Sequence, residues 1–368
     1  MTSILDVSSV VHGGHKGSPD YRINGFPVGG LRRILSIINS DFPRSDIILC
    51  FDSPKLLKKE LLPTYKAGRV PDYSVAAQVD LLKEILMDCN MPFYIQDGYE
   101  ADDLICSVVH LFGKMRSSEE TVIYSDDRDL SCCVSPTVKL QNVTTNGMRV
   151  DYESFSKRKL VSTGTIPYNT ILLHKMLHGD KSDNYAGLKL PGLRFDSVAF
   201  TFTEAMNAMI EQGTFPHSMY MSIEAMEYVI DNLPGSFDDN ARALMKMQAR
   251  IVFPYLVDVT INGEDAMAAD LASGNYAPYQ VVHNHLKICT RNNIDYSKFC
   301  MYCGALGLNR CRTERTSFLM SDEIAEFKNS LKIRAKELSS GVMAVERYRN
   351  RTARPSSEEC VENMQLPL

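Results

Sequence analysis

The sequence predicts an α/β fold: a mostly parallel central sheet flanked by helices, followed by a helical C-terminal domain. Three observations carry this. Short apolar, strand-like runs recur through the first third of the chain. Stretches of helical period and length separate them. From about Tyr152 onward, helix follows helix. Strands that alternate with helices need crossover connections, and these make parallel sheets.

Taken in order, Ile4 and Leu5 run into Asp6, and Val28 to Asn39 then forms a helix with Leu31, Ile34, Leu35 and Ile38 on one face. Ile47 to Phe51 is a second strand, running into Asp52, and Val75 to Cys89 a second helix built on Val79, Leu82 and Leu86. Pro92 to Ile95 leads into Glu100, Asp102 and Asp103, which open a helix over Ala101 to Lys114 with Leu104, Val108 and Leu111 inward. Thr121 to Tyr124 is a β-branched and apolar run that stops in Asp126, Asp127, Arg128 and Asp129. Beyond Tyr152, Pro167 suits the start of a helix over Ile166 to Leu177. Residues 178–195, HGDKSDNYAGLKLPGLRF, read as a turn. Further helices are expected at Ser197 to Gln212, Ser222 to Asn232 and Asp238 to Ala249, and Ile251 to Val259 fits either a strand or a buried helix. An amphipathic helix is expected over Met320 to Leu338, with a mobile polar tail after it. The division expected is a core at 1–160, a helical domain at 161–318 and a helix plus tail at 319–368.

At 368 residues, with 44% hydrophobic and 23% charged, the chain has room for two ordinary cores. No apolar run approaches ~20 residues, so no membrane span is expected, and the first residues lack the pattern of a signal peptide. Ten scattered cysteines in mostly apolar contexts suit reduced thiols in a cytoplasm better than a disulfide framework. A net charge of −5 argues against a nucleic-acid partner unless many acids are gathered in one metal site.

The acids are placed for such gathering. In an open parallel sheet ligands bind beyond the carboxyl ends of the strands, and four strands each put acids there: Asp6; Asp52; Glu100, Asp102 and Asp103; Asp127 and Asp129. Asp180 and Asp183 in the glycine-rich turn can reach the same crevice. Like charges this close need a cation or a proton. Carboxylates without His or Cys select Mg²⁺ or Mn²⁺, and their number suggests two ions, ~3.5–4 Å apart in phosphoryl-transfer sites. No Ser–His–Asp or Cys–His arrangement offers a covalent nucleophile, so hydrolysis of a phosphodiester by activated water fits best. Directly after Asp52, Lys55, Lys58, Lys59, Lys66 and Arg69 form a basic segment suited to a polyanion, and Tyr65 and Tyr73 are placed to stack on bases.

GYEADD at Gly98 to Asp103, SDDRD at Ser125 to Asp129 and GDKSDN at Gly179 to Asn184 resemble the motifs of the 5′-nuclease family, which includes flap endonucleases and phage ribonuclease H-type exonucleases. LDVSS at Leu5 to Ser9, FDSP at Phe51 to Pro54 and YKAGR at Tyr65 to Arg69 look like its remaining signatures in the same order. The resemblance covers roughly half the chain, from Asp6 to about Gly192. It implies a PIN-like nuclease core and a helix-hairpin-helix-like element in the C-terminal domain. It implies that Asp6, Asp52, Glu100, Asp102 and Asp103 serve one magnesium ion, and Asp127, Asp129, Asp180 and Asp183 a second. Lys66 and Arg69 would stand at the base of a helical arch, at the scissile phosphate. The substrate would be DNA with a 5′ end, flap or RNA primer, cut by a monomer. Relatives usually have glycine where Asp126 stands, so Asp126 is left out of the ligand set. The family's hairpin often holds a potassium ion. Here Phe195 stands where its second glycine is expected, and Lys189 or Arg194 would contact phosphate by charge instead.

Three further features carry weaker signals. Cys300, Cys303 and Cys311 with His283 and His285 have irregular spacing and no obvious fourth ligand for zinc. His12 and His15 read as solvated residues of a glycine-rich loop. Gln365 to Leu368 resemble peptides that dock into bacterial sliding clamps, which makes a clamp or a single-strand-binding protein an expected partner. Two rival readings are a toprim-type phosphoryl-transfer enzyme, which leaves Asp6, Asp52 and GDKSDN unexplained, and a silent scaffold for branched DNA, in which the acids would only destabilise the fold.

Overall fold

The structure is a computed structural model that describes residues 1–115, 120–144, 149–150, 170–188, 223–233, 237–255, 294–308 and 321–341, with isolated positions between 201 and 212. Lys189, Arg194, Cys311, the second half of the 178–195 turn, most of the 197–212 helix and the tail lie outside the described residues.

The chain begins with β1 (Thr2–Asp6) and α1 (Val7–Gly17), then the short pair β2 (Arg22–Ile23) and β3 (Phe26–Pro27), α2 (Gly29–Asp41) and β4 (Asp46–Cys50). It continues through α3 (Leu57–Leu61), α4 (Tyr73–Asp88), α5 (Ala101–Met115), β5 (Thr121–Tyr124), one turn of 3₁₀ helix at Asp129–Cys133, β6 (Val138–Gln141) and β7 (Arg149–Val150). The described C-terminal elements are all helices: α6 (Thr170–His178), α7 (Ile223–Asp231), α8 (Asp239–Val252), α9 (Tyr296–Ala305) and α10 (Ser321–Ser340).

The sheet runs β4-β1-β5-β6-β7, with the first four strands parallel and β7 antiparallel. β1 is central and wholly buried, so every residue of Thr2–Asp6 is inside although Thr2, Ser3 and Asp6 are polar. Asp6 pairs in register with Cys50, and Leu5 with Tyr124, which puts the ends of three strands side by side. The strand expected at Pro92 to Ile95 is reduced to a single bridge between Tyr94 and Cys50 at the sheet edge. Pro92 offers no N–H to a ladder, which restricts such a run to an edge.

Two apolar cores flank the sheet. One gathers Ile105, Val108 and Phe112 of α5 with Leu172, Met176, Met226, Val229, Met245 and Phe253 from the C-terminal helices. The other joins Leu31, Ile34 and Leu35 of α2 and Leu82 and Ile85 of α4 to Phe299, Cys303, Phe327 and Leu331. The helices of the C-terminal half therefore cover the sheet domain on both sides. Ile251 and Val252, which fitted either strand or helix, close α8 as buried helical residues.

Residues 7–17 correct an expectation. They form a helix rather than a glycine-rich loop, and His12 and His15 ride on it. Its glycines serve close packing: a Cβ on Gly14 would stand 2.5 Å from Arg33 Cβ, and one on Gly30 would stand 2.4 Å from the Val11 carbonyl. Gln78 reinforces this contact by accepting the amide hydrogen of Gly30 at 2.8 Å. Cys300 and Cys303 lie on α9, where Cys303 is buried in the core. Among the described residues no helix is long and apolar enough to cross a membrane.

Candidate metal centre

The acids at the strand ends are held there by the helices that follow them. Asp6 caps α1, its Oδ1 accepting the Ser9 amide at 3.1 Å, while its Oδ2 accepts the Ser125 hydroxyl at 2.7 Å. Ser125 Oγ in turn accepts the Asp127 amide at 3.0 Å. Asp52 accepts the Ala101 amide at 2.9 Å and so lies at the first turn of α5, which also carries Asp102 and Asp103. Helix N-termini favour negative charge, which partly offsets the crowding.

The offset is incomplete. Burial, with Asp52 beside it, pushes the Asp6 carboxyl up to about 7. Burial next to Asp127, Asp6 and Glu100 drives Asp102 well above the usual carboxylate range. Among the described residues no lysine or arginine stands within ion-pair distance of Asp6, Asp52, Asp102 or Asp127. Asp6 is buried, Asp102 and Asp127 are half-buried and Asp52 is exposed, and oxygen donors that repel one another without a cationic partner fit a hard divalent ion such as Mg²⁺.

The remaining acids are already matched. Glu100 is buried, and it receives the Lys58 ammonium at 3.1 Å, the Tyr65 hydroxyl at 2.9 Å and the Lys66 ammonium. Burial would raise the Glu100 carboxyl, but Lys58 and Lys66 outweigh it and hold the group far below its ordinary value. Lys175 of α6 bridges Asp129 and Asp180, 2.6 Å from each. Even so, burial and Asp127 raise the Asp129 carboxyl to about 6. Asp183 pairs with Arg69. One side of the cleft is thus uncompensated and the other is bridged by lysine and arginine.

The glycine-rich turn is fastened to the basic segment. The Lys66 amide donates to the Asp183 carbonyl at 2.9 Å, and Asn184 Nδ2 donates to the Thr64 carbonyl at 3.0 Å. Gly179 and Gly187 close the turn back to back; a Cβ on Gly187 would stand 2.1 Å from the Gly179 nitrogen, and both have positive φ. Lys66 itself has φ +55°, a left-handed conformation uncommon outside glycine and consistent with a functional constraint. Asp102, Asp127, Asp129, Asp183, Lys58, Tyr65 and Lys66 line a single cleft.

Three expected roles need correction. Lys58 and Tyr65 were expected on nucleic acid, but both are buried in the cleft wall with their polar atoms committed to Glu100. Asp103 was expected among the metal ligands, yet its Oδ2 accepts the Glu100 amide and its Oδ1 the Tyr255 amide, each at 2.9 Å. Its position in the first turn of α5 spends it on backbone hydrogen bonds. Lys55, Lys59 and Arg69 are exposed. Asp126, set aside above, accepts from Val143 N at 2.6 Å and Thr144 Oγ1 at 2.5 Å, which gives it a structural task. Sequence reading missed Lys175 and Ser125. The signal for Lys175 was a lone cation on an apolar helix one turn before an acidic loop.

The fold and the cleft define an α/β protein with an acidic cleft near the carboxyl ends of its parallel strands. Residues 2–160 match the family described as the 5′-3′ exonuclease, N-terminal resolvase-like domain. The 5′-3′ exonuclease of Aquifex aeolicus (strain VF5) is 31% identical over 194 residues, 50% of this chain and 64% of that protein. That of Bacillus subtilis (strain 168) is 30% identical over 176 residues, 47% of this chain and 56% of that protein. DNA polymerase I of Borreliella burgdorferi is 31% identical over 170 residues, 45% of this chain and 18% of that protein. The matches thus span less than two thirds of these relatives. A bacteriophage T5 flap endonuclease, crystallised as a pseudo-enzyme-product complex with DNA and metal ions, superposes with a TM-score of 0.44 at 16% identity, covering 68% of this chain and 88% of that one. The T5 5′-exonuclease with divalent metal ions (zinc) bound gives 0.42 at 16% identity, covering 68% and 86%. Over residues 2–160 the chain is thus similar to the N-terminal domain of 5′-3′ exonucleases.

Proposed function

We propose that the protein is a magnesium-dependent 5′-nuclease that hydrolyses phosphodiesters at 5′ ends, flaps or RNA primers. What supports this reading is the mutual repulsion of Asp6, Asp52, Asp102 and Asp127, which end or follow β1, β4 and β5 or open α5, with no lysine or arginine at ion-pair distance among the described residues. These four would hold one Mg²⁺ directly or through water; Asp127, Asp129, Asp180 and Asp183 would hold a second in exchange for Lys175. When bound, the ions supply an activated water and neutralise charge on the phosphate.

The chain's own groups do the rest. Ser125 orients Asp6 and, through the Asp127 amide, fixes the spacing of the two. Glu100 holds Lys66 at the cleft wall, where its ammonium can meet a phosphate oxygen. Arg69, Lys55 and Lys59 offer exposed charge to the strand on its way in. Residues 55–73 would form a short helical arch over the cleft, with α3 as its helical part. The partition at 1–160, 161–318 and 319–368 belongs to this reading, as do a helix-hairpin-helix-like grip on duplex and potassium at the 179–195 turn, and clamp docking by the tail.

The test is a 5′-labelled nicked duplex, a flap and an RNA·DNA hybrid incubated with Mg²⁺. The reading expects short 5′ products, arrest by EDTA, and retained binding without cleavage in Asp127→Ala. Binding without cleavage in the wild type would favour the scaffold.

A further inference from the structure

Directly behind the acidic cleft, Cys106, Cys132 and Cys133 bring three thiol sulfurs within 4.8 Å of one another, all three residues buried. Cys106 and Cys133 Sγ are 3.3 Å apart, and Cys132 and Cys133 Sγ 4.0 Å apart. Cys106 lies one turn beyond Asp102 and Asp103 on α5, and the other two end the 3₁₀ turn that begins at Asp129. The cluster therefore joins the element that carries Asp102 and Asp103 to the one that carries Asp129. Cys106 and Cys132 are also among the residues that line the cleft.

We propose that these three cysteines form a second, soft-metal site that takes a thiophilic divalent cation, Zn²⁺ or its congener Cd²⁺. Sulfurs about 2.3 Å from a common zinc ion stand about 4 Å from one another. The Cys132–Cys133 spacing already meets that, and the Cys106 and Cys133 sulfurs would part by about 0.7 Å to reach it. Three protein ligands with the fourth position turned to a cleft is the arrangement zinc adopts where it keeps an exchangeable ligand. Thiolates favour a soft cation over Mg²⁺, so this site would take a different kind of ion from one built of carboxylates. Occupation ties α5 to the 3₁₀ turn and makes cleft geometry depend on soft-metal availability. The site does not rest on the nuclease reading.

The experiment titrates the reduced full-length protein with Cd²⁺ in excess Mg²⁺, which keeps the carboxylates occupied, and follows sulfur-to-cadmium charge-transfer absorption. The proposal expects a tight equivalent whose absorption is lost in Cys106→Ala/Cys132→Ala and kept in Cys300→Ala/Cys303→Ala. X-ray absorption of the zinc-loaded wild type should count three sulfur neighbours at about 2.3 Å, a readout that needs no variant to fold. An oxygen-only shell, or a band unchanged by the Cys106→Ala/Cys132→Ala pair in a folded protein, would overturn it.

Discussion

Without metal, the protein should lose stability as pH rises from 5 to 8, and Mg²⁺ should restore it. Asp6 is held up to about 7 by burial and by Asp52, and Asp129 to about 6 by burial and Asp127. A carboxyl whose folded value lies above its unfolded one binds more protons when folded. Its contribution is complete below the unfolded value and disappears as pH passes the folded one. Between pH 5 and 8 this linkage removes roughly 3 kcal/mol through Asp6 and about 1 kcal/mol through Asp129. Asp180, held down to about 2, and Glu100, also lowered, act only at more acid pH, where their contributions fall away. His12 is lowered by burial and so favours the folded state as pH rises, in the opposite sense, which calls for a His12→Asn background. The assay is urea unfolding in EDTA at intervals across this range, repeated with saturating Mg²⁺ and with Asp6→Asn. The midpoint should fall with pH in EDTA, fall less in Asp6→Asn, and stay level with Mg²⁺. A midpoint in EDTA that rises steadily from pH 5 to 8 would refute the claim that the cleft gathers uncompensated acids.

Three substitutions separate the roles assigned above. Ser125→Ala removes the hydroxyl shared by Asp6 and the Asp127 amide, and calorimetry should find metal affinity down about 10–100-fold with little change in fold. Asp126→Ala should do the reverse, costing about 1–3 kcal/mol in urea unfolding through its lost bonds to Val143 and Thr144 while metal affinity persists. Lys58→Met should destabilise the protein by about 3 kcal/mol, because Glu100 and Asp103 lose a buried cation. Its effect on DNA affinity in a binding titration should be slight, whereas Lys55→Ala/Lys59→Ala, at exposed positions, should weaken binding and flatten its salt dependence.

Much of this was legible in the sequence because it depended on local pattern. Runs such as Ile47 to Phe51 and Thr121 to Tyr124 are too short and β-branched for helices, and acids at their ends mark the sheet's carboxyl edge. Parallel topology then brings Asp6, Asp52 and Asp127 together whatever lies between them. What escaped depended on tertiary packing. The helix at Val7–Gly17 was obscured by glycines that permit close approach to α2 rather than a loop. Lys58 and Tyr65 carry the residue types of a surface contact, and only the position of buried Glu100 shows that they face inward. Asp102 and Asp103 are adjacent and chemically alike, yet the turn of α5 spends one on backbone amides and leaves the other to the cleft.

Counting bound Mn²⁺ by electron paramagnetic resonance tests the central claim most directly, since it asks whether the converging acids hold ions. The account predicts two ions per wild-type chain, the tighter one lost in Asp102→Asn and the weaker one strengthened in Lys175→Met, where the bridging ammonium is gone. A wild-type chain that binds no Mn²⁺, or binds it equally well in folded Asp102→Asn, would contradict it.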